Sequence, residues 1–215
     1  PPPTENYTNT ESSAASDVYK RQTYGLPPYF DSWEQFSAMV QAGIRSRTIE
    51  SFRDLHWDIR PHGDLGTLEI RVLDAQVDAQ RIAQIASLVR ALVVVAADPK
   101  LPDSAFPARL PHWMEIDNHF RACKAGLDAR VIVSADGDTA PMMQVVEQLF
   151  DLARRQCENL GDNSLLAALE RSLVSHNGAE LQRGAWQQQH SCKTVARFLV
   201  DNIGVTPWAE NRHAS

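Results

Sequence analysis

The chain has 215 residues, 43% of them hydrophobic and 22% charged, and a formal net charge of -6 at pH 7. That length allows one domain or a little more with a substantial core, and the acidic balance argues against a general nucleic-acid binder while leaving room for a local basic site. Cys123, Cys157 and Cys192 are too few and too scattered for a disulfide framework or a zinc ribbon, which points to a reducing, cytoplasmic setting. No uninterrupted apolar run reaches the ~18 residues that cross a bilayer, so no membrane partner is expected.

Residues 1–22, PPPTENYTNTESSAASDVYKRQ, have almost no aliphatic side chains and cannot bury enough surface to offset their ordering entropy. The stretch DVYKRQ at 17–22 looks like a translated sequencing adapter, so residues 1–22 are expected to be a disordered, non-native tail. On that reading the protein sequence proper enters near Thr23, and an N-terminal portion lies upstream. GLPPY at 25–29 reads as an extended loop, because each proline restricts itself and its predecessor. Asp31 or Ser32 can cap a helix carrying Trp33, Phe36, Met39 and Val40 at helical spacing, with Gly43 suited to its end. The connector at 45–53 carries Arg45, Arg47 and Arg53 and reads as solvated rather than as a phosphate patch.

Residues 55–74, LHWDIRPHGDLGTLEIRVLD, are the most informative stretch. Both halves alternate with period two, as a strand requires when it sends side chains to opposite faces. Leu55, Trp57 and Ile59 oppose His56, Asp58 and Arg60, and Leu68, Ile70 and Val72 oppose Thr67, Glu69 and Arg71. PHGDLG at 61–66 has the length and glycine content of a hairpin loop. The expected product is an antiparallel ribbon, greasy on one side and ionic on the other. Its ionic face reads either as a half-exposed surface meeting water or as a catalytic face for metal and phosphate.

After the hairpin, a helix is predicted over 79–97, with Ile82, Ile85, Ala86, Val89, Val93 and Ala96 as an apolar stripe packed on the greasy side of the sheet. Residues 98–111 hold four prolines and read as a surface loop. A helix over 118–125 stopped by Gly126 and a strand over 127–133 follow. Asn118, Arg121 and Lys124 share a side of that helix and form either a solvated face or a grip for a polyanion. Further helices are predicted over 139–159, 165–174, 178–189 and 194–202, before a flexible tail at 208–215. Short signatures for nucleotide loops, zinc and acyl transfer are missing from the sequence, and His112 with His119 make a poor metal pair.

Together, WDIRPHGDLGTLEIRVLDAQ and NHFRACKAGLDARVIV resemble the carboxylate-amine ligase family, the bacterial type 2 glutamate–cysteine ligases. The resemblance runs from about Tyr24 to Phe198, with mild departures at His56, Leu73 and Lys124. It implies an α+β fold: an antiparallel sheet packed by helices, forming over 23–207 the C-terminal portion of a glutamine synthetase-like catalytic domain with a helical C-terminal part. It also implies ATP and Mg2+ as cofactors. Phosphorylation of a carboxylate, the glutamate side chain or another acid, would then be followed by attack of an amine, that of cysteine or another, to form a C–N bond. Glu69 is the implied metal ligand, and Arg71 the contact for the substrate carboxylate or transferred phosphate. Arg60 is implied for ATP phosphate, and Asn118 and Arg121 for the nucleotide or substrate edge. Asp58 and His56 are weaker candidates. Ligation of a different acid and amine, or a non-catalytic binding domain on the same scaffold, are the competing readings. The isolated fragment is expected to be inactive, and assembly into a homo-oligomer stays open.

Overall fold

The computed structural model describes residues 24–74, 76, 78–100, 107–173 and 178–202. The tails expected at 1–22 and 208–215 lie outside the described residues. The chain divides into two compact units, Pro1–Asp74 and Ala75–Ser215. Helices and small two-stranded sheets mix in an α+β class, as the sequence leads one to expect.

In the first unit, Ser32 caps α1 (Trp33–Arg45) by accepting the Gln35 N–H at 3.3 Å. Phe36 and Val40 on α1 meet Ile49, Leu55 and Trp57 in a core flanked by Phe30, Met39 and Phe52. Ile49 belongs to the arginine-bearing connector, which folds back so that the Thr48 and Ile49 N–H groups donate to the Gly43 carbonyl. A Cβ at Gly43 would lie 2.9 Å from Ile49 Cγ1, so only glycine admits this return without displacing the core.

The predicted pair of long strands is instead divided at Asp58. Strand β2 (His56–Trp57) pairs in parallel with β1 (Tyr24–Gly25), whereas β3 (Ile59–His62) pairs antiparallel with β4 (Thr67–Ile70). Burial explains the division. Leu55 and Trp57 are drawn into the core, but Ile59 is 41% exposed and Leu68 48% exposed. Pro61 and His62, read as loop from the sequence, extend β3, and the turn shrinks to residues 63–66 with Gly66 at φ +61°.

The second unit is mainly helical. Helices α2 (Ala79–Ala96), α3 (His112–Ala125), α4 (Met142–Leu160), α5 (Asn163–Leu173), α6 (Gly178–Gln189) and α7 (Cys192–Asn202) accompany strands β5 (Arg130–Ile132) and β6 (Thr139–Pro141). Ala91, Phe150, Ala153, Cys157, Leu166 and Leu169 form the core where α2, α4 and α5 meet. Within this unit the buried partners of α2 are helices. The buried face differs from the predicted stripe. Gln84, Ser87, Ala91 and Val95 are buried, while Ile82 and Val93 are exposed. Small Ser87 and Ala91 let α4 approach closely, so that Cys157 Sγ lies 3.9 Å from the Ser87 carbonyl oxygen. On a helix apolar nearly all round, side-chain size rather than hydrophobicity selects the face. Among the described residues α2 is also the one helix long and apolar enough to cross a membrane by length and composition.

A second correction concerns residues 139–141, predicted as helix. They form β6, whose Ala140 pairs with Val131 of β5, and the helix starts only after Pro141. Proline at that boundary restricts the preceding residue to extended geometry, which suits a strand end. Helix α3 conversely starts earlier than predicted, directly after Pro111.

Candidate active site

The ionic face of the hairpin follows from strand parity. Arg60 on β3 lies directly opposite Glu69 on β4, and His62 opposite Thr67, so all four side chains project to one side. The ladder continues past β4, where the Arg71 N–H donates to the Asp58 carbonyl at 2.7 Å. Asp58 also donates its own N–H to the Gly25 carbonyl at 2.8 Å, tying the two small sheets together.

Arg60 grips Glu69 with two donors on a single oxygen. Its Nε and Nη2 donate to Glu69 Oε2 at 3.0 and 2.6 Å. Nη1 turns the other way and donates to the carbonyls of Arg53 and Leu55 at 2.7 and 3.3 Å. Arg53 lies within, and Leu55 directly follows, a single 3-10 turn, Phe52–Asp54, closed by a reciprocal cap between Ser51 and Asp54. The Asp54 carboxylate accepts the N–H groups of Ser51 and Glu50, which hold it below the ordinary aspartate range.

Glu69 has its other oxygen, Oε1, 3.9 Å from Arg71 Nε, an ion-pair distance beyond hydrogen bonding. The Arg60 hydrogen bond, reinforced by the charges of Arg60, Arg71 and His62, holds the Glu69 carboxyl below the ordinary glutamate range. Exposure separates the two arginines: the Arg60 side chain is 11% exposed and that of Arg71 33%. His62 stands edge-on to Phe52 with ring centroids 4.7 Å apart, and its Nδ1 is buried with no hydrogen-bond partner. Sequence reading passed over His62 because it assigned that residue to the loop; the alternation of Asp58, Arg60 and His62 carries the signal. His56 stacks on the Tyr24 ring at 4.7 Å, on the neighbouring sheet.

Asn118 and Arg121 stand together in the second unit and fasten α3 to β5. Asn118 accepts the Ile132 N–H at 2.7 Å and donates to the Ile132 carbonyl at 2.8 Å. Arg121 donates through Nε to Asp117 at 2.7 Å and through Nη1 to the Arg130 carbonyl at 3.2 Å. Both side chains thus have intramolecular work, which the helical spacing alone did not reveal.

Among the described residues there is no group of three or more His, Cys, Asp or Glu side chains able to hold a metal ion. A cage made wholly of protein ligands therefore does not fit the hairpin. A magnesium ion held chiefly by phosphate oxygens and water, with a single carboxylate oxygen, does fit, because Glu69 Oε1 makes no hydrogen bond.

A family model described as glutamate-cysteine ligase family 2 matches residues 15–199, most of the chain. The chain belongs to glutamate-cysteine ligase family 2. Membership agrees with the resemblance carried by the hairpin and the segment around Asn118. Three proteins named "Putative glutamate--cysteine ligase 2" illustrate the family's breadth. That of Trichormus variabilis is 31% identical over 185 residues, 85% of this chain and 48% of the relative. That of Gloeobacter violaceus is 33% identical over 176 residues, 81% of this chain and 47% of the relative. That of Thermobifida fusca is 34% identical over 183 residues, 83% of this chain and 44% of the relative. This family member spans about half the length of the curated relatives it matches.

Proposed function

We propose that the chain carries part of the active site of a cytoplasmic, ATP-dependent glutamate–cysteine ligase, with the ionic hairpin face as its reacting surface. The observation behind this reading is Glu69 held between Arg60 and Arg71, one oxygen bound and one directed toward the more exposed arginine. Family membership narrows the chemistry to ligation and gives small-molecule substrates.

In the proposed reaction the side-chain carboxylate of glutamate takes the terminal phosphoryl group of ATP, and ADP leaves. The amine of cysteine then attacks the acyl carbon, the C–O bond breaks as inorganic phosphate leaves with its electron pair, and the nitrogen loses a proton as the amide forms. Magnesium, when bound, neutralises phosphate charge. Glu69, a carboxylate at neutral pH, would hold it through Oε1. Arg71 would receive the glutamate carboxylate or the transferred phosphoryl group, since a guanidinium presents parallel donors to either. Arg121, whose Nη2 lies outside its hydrogen bonds, and the second amide N–H of Asn118 are left for the nucleotide or substrate edge. Phosphoryl transfer asks mainly for positioning and charge compensation, which a stiff strand pair supplies. With one metal-binding oxygen on the hairpin, the 215-residue chain by itself is proposed to bind magnesium-ATP weakly and to turn over little or nothing.

The test is ADP release by the purified, complete protein. Release should require glutamate and cysteine together, and Glu69→Ala should abolish it. Release that ignores either substrate would end the assignment to glutamate and cysteine, and full turnover by Glu69→Ala would end the hairpin's role.

A further inference from the structure

We infer that Arg60 is a positioning residue, which fixes Glu69 by one oxygen and leaves the other for the reaction, rather than a contact for nucleotide phosphate. The inference rests on the ligase reading above for what the second oxygen does, but its geometry stands by itself.

A guanidinium carries five N–H groups, and in Arg60 four hydrogen bonds already engage them. Two converge on Glu69 Oε2 and two reach the carbonyls of Arg53 and Leu55, so no parallel pair of donors faces outward. Turning the guanidinium to a phosphate would strand the part-buried Leu55 carbonyl and release Glu69 Oε2 to solvent. Arg71 has the opposite character: its side chain is three times as exposed, and its guanidinium reaches Glu69 only at 3.9 Å. The two arginines therefore divide the work, one as brace and one as anion contact.

The brace has a traceable foundation. The Ser51–Asp54 cap fixes the turn Phe52–Asp54, the Arg53 carbonyl within that turn holds Nη1 of Arg60, and Nε with Nη2 then fix Glu69 Oε2. Both prongs land on one atom, so Arg60 fixes the position of Oε2 and leaves Oε1 clear of its own donors. Oε1 lies 3.9 Å from Arg71 Nε, beyond hydrogen bonding. The guanidiniums of Arg60 and Arg71 both face Glu69, so the face remains attractive to anions although one arginine is internally paired.

Carbon-detected NMR of the chain, following the Glu69 carboxyl against pH in wild type, Arg60→Lys and Arg60→Met, tests this directly. The Glu69 midpoint should rise in both variants, more in Arg60→Met, because the lost hydrogen bond favoured the carboxylate. An unchanged midpoint in a variant that keeps its backbone amide spectrum would overturn the inference. Should Arg60→Met fail to fold, Arg60→Lys and the wild-type Nε–H signals decide. The Arg60 Nε–H should exchange more slowly than that of Arg71 and stay unmoved when magnesium-ATP is added; a shift of Arg60 itself would overturn the inference. In the complete protein, Arg60→Lys should lower kcat about 10–100-fold with the KM for glutamate little changed, as loss of an outer-shell partner does. If the complete protein releases no ADP with glutamate and cysteine while the Glu69 midpoint still rises in the variants, the ligase reading fails and the brace stands.

Discussion

Asn118 and Ile132 are joined twice, with the asparagine amide taking the place of a neighbouring strand. It accepts the Ile132 N–H at 2.7 Å and donates to the Ile132 carbonyl at 2.8 Å, so β5 has β6 on one edge and an α3 side chain on the other. Asn118→Ala leaves two part-buried backbone groups without a partner and should cost about 1–3 kcal/mol. Urea unfolding, combined with faster hydrogen exchange at the Ile132 amide, checks this. An unchanged midpoint would mean that other groups or water satisfy the strand edge.

Cysteine reactivity should divide two against one. Cys123 and Cys192 are exposed, whereas Cys157 is buried against Ser87 between helices. Burial pushes the Cys157 thiol up, Asp162 adds to the effect, and Arg90 opposes it. A thiol reagent at neutral pH should label Cys123 and Cys192 in the native protein and Cys157 only with unfolding. Prompt labelling of Cys157 would contradict the packing of α2 on α4.

Acid should loosen the first unit. Glu69 is depressed by Arg60, and Asp54 by the backbone N–H groups of Ser51 and Glu50. A carboxyl with a lowered folded pKa adds stability above its unfolded value, near pH 4, and loses it as pH falls through the folded value. Stability measured by urea at stepped pH should therefore stay level above about pH 5 and decline below about pH 4. Asp54→Asn should reduce that decline. A decline with the same slope in Asp54→Asn would remove the turn cap from the explanation.

Much of this could be read from residue order. Alternation around Arg60 and Glu69 predicts that they share a face, because antiparallel pairing with any register that matches the two greasy sides puts them there. Ser32 and Gly161 mark helix ends through local chemistry that needs no distant partner. What local pattern could not supply was competition for the core. Leu55 and Trp57 follow the same alternation as Ile59, yet only the first two find Phe36, Val40 and Ile49 to pack against. The face chosen by α2 depends likewise on how near Ala153 and Cys157 can come to Ser87 and Ala91. In the site, Arg53, whose carbonyl accepts from Arg60 Nη1, belongs to a turn that the sequence showed only as a connector.

Paramagnetic broadening by manganese-ATP, recorded residue by residue on the labelled chain, addresses the hairpin's role most directly and is sensitive to weak binding. Signals of Glu69 and Arg71 should broaden first, and Glu69→Gln should remove the effect while the backbone spectrum is retained. Broadening centred elsewhere, or undiminished in Glu69→Gln, would contradict that role.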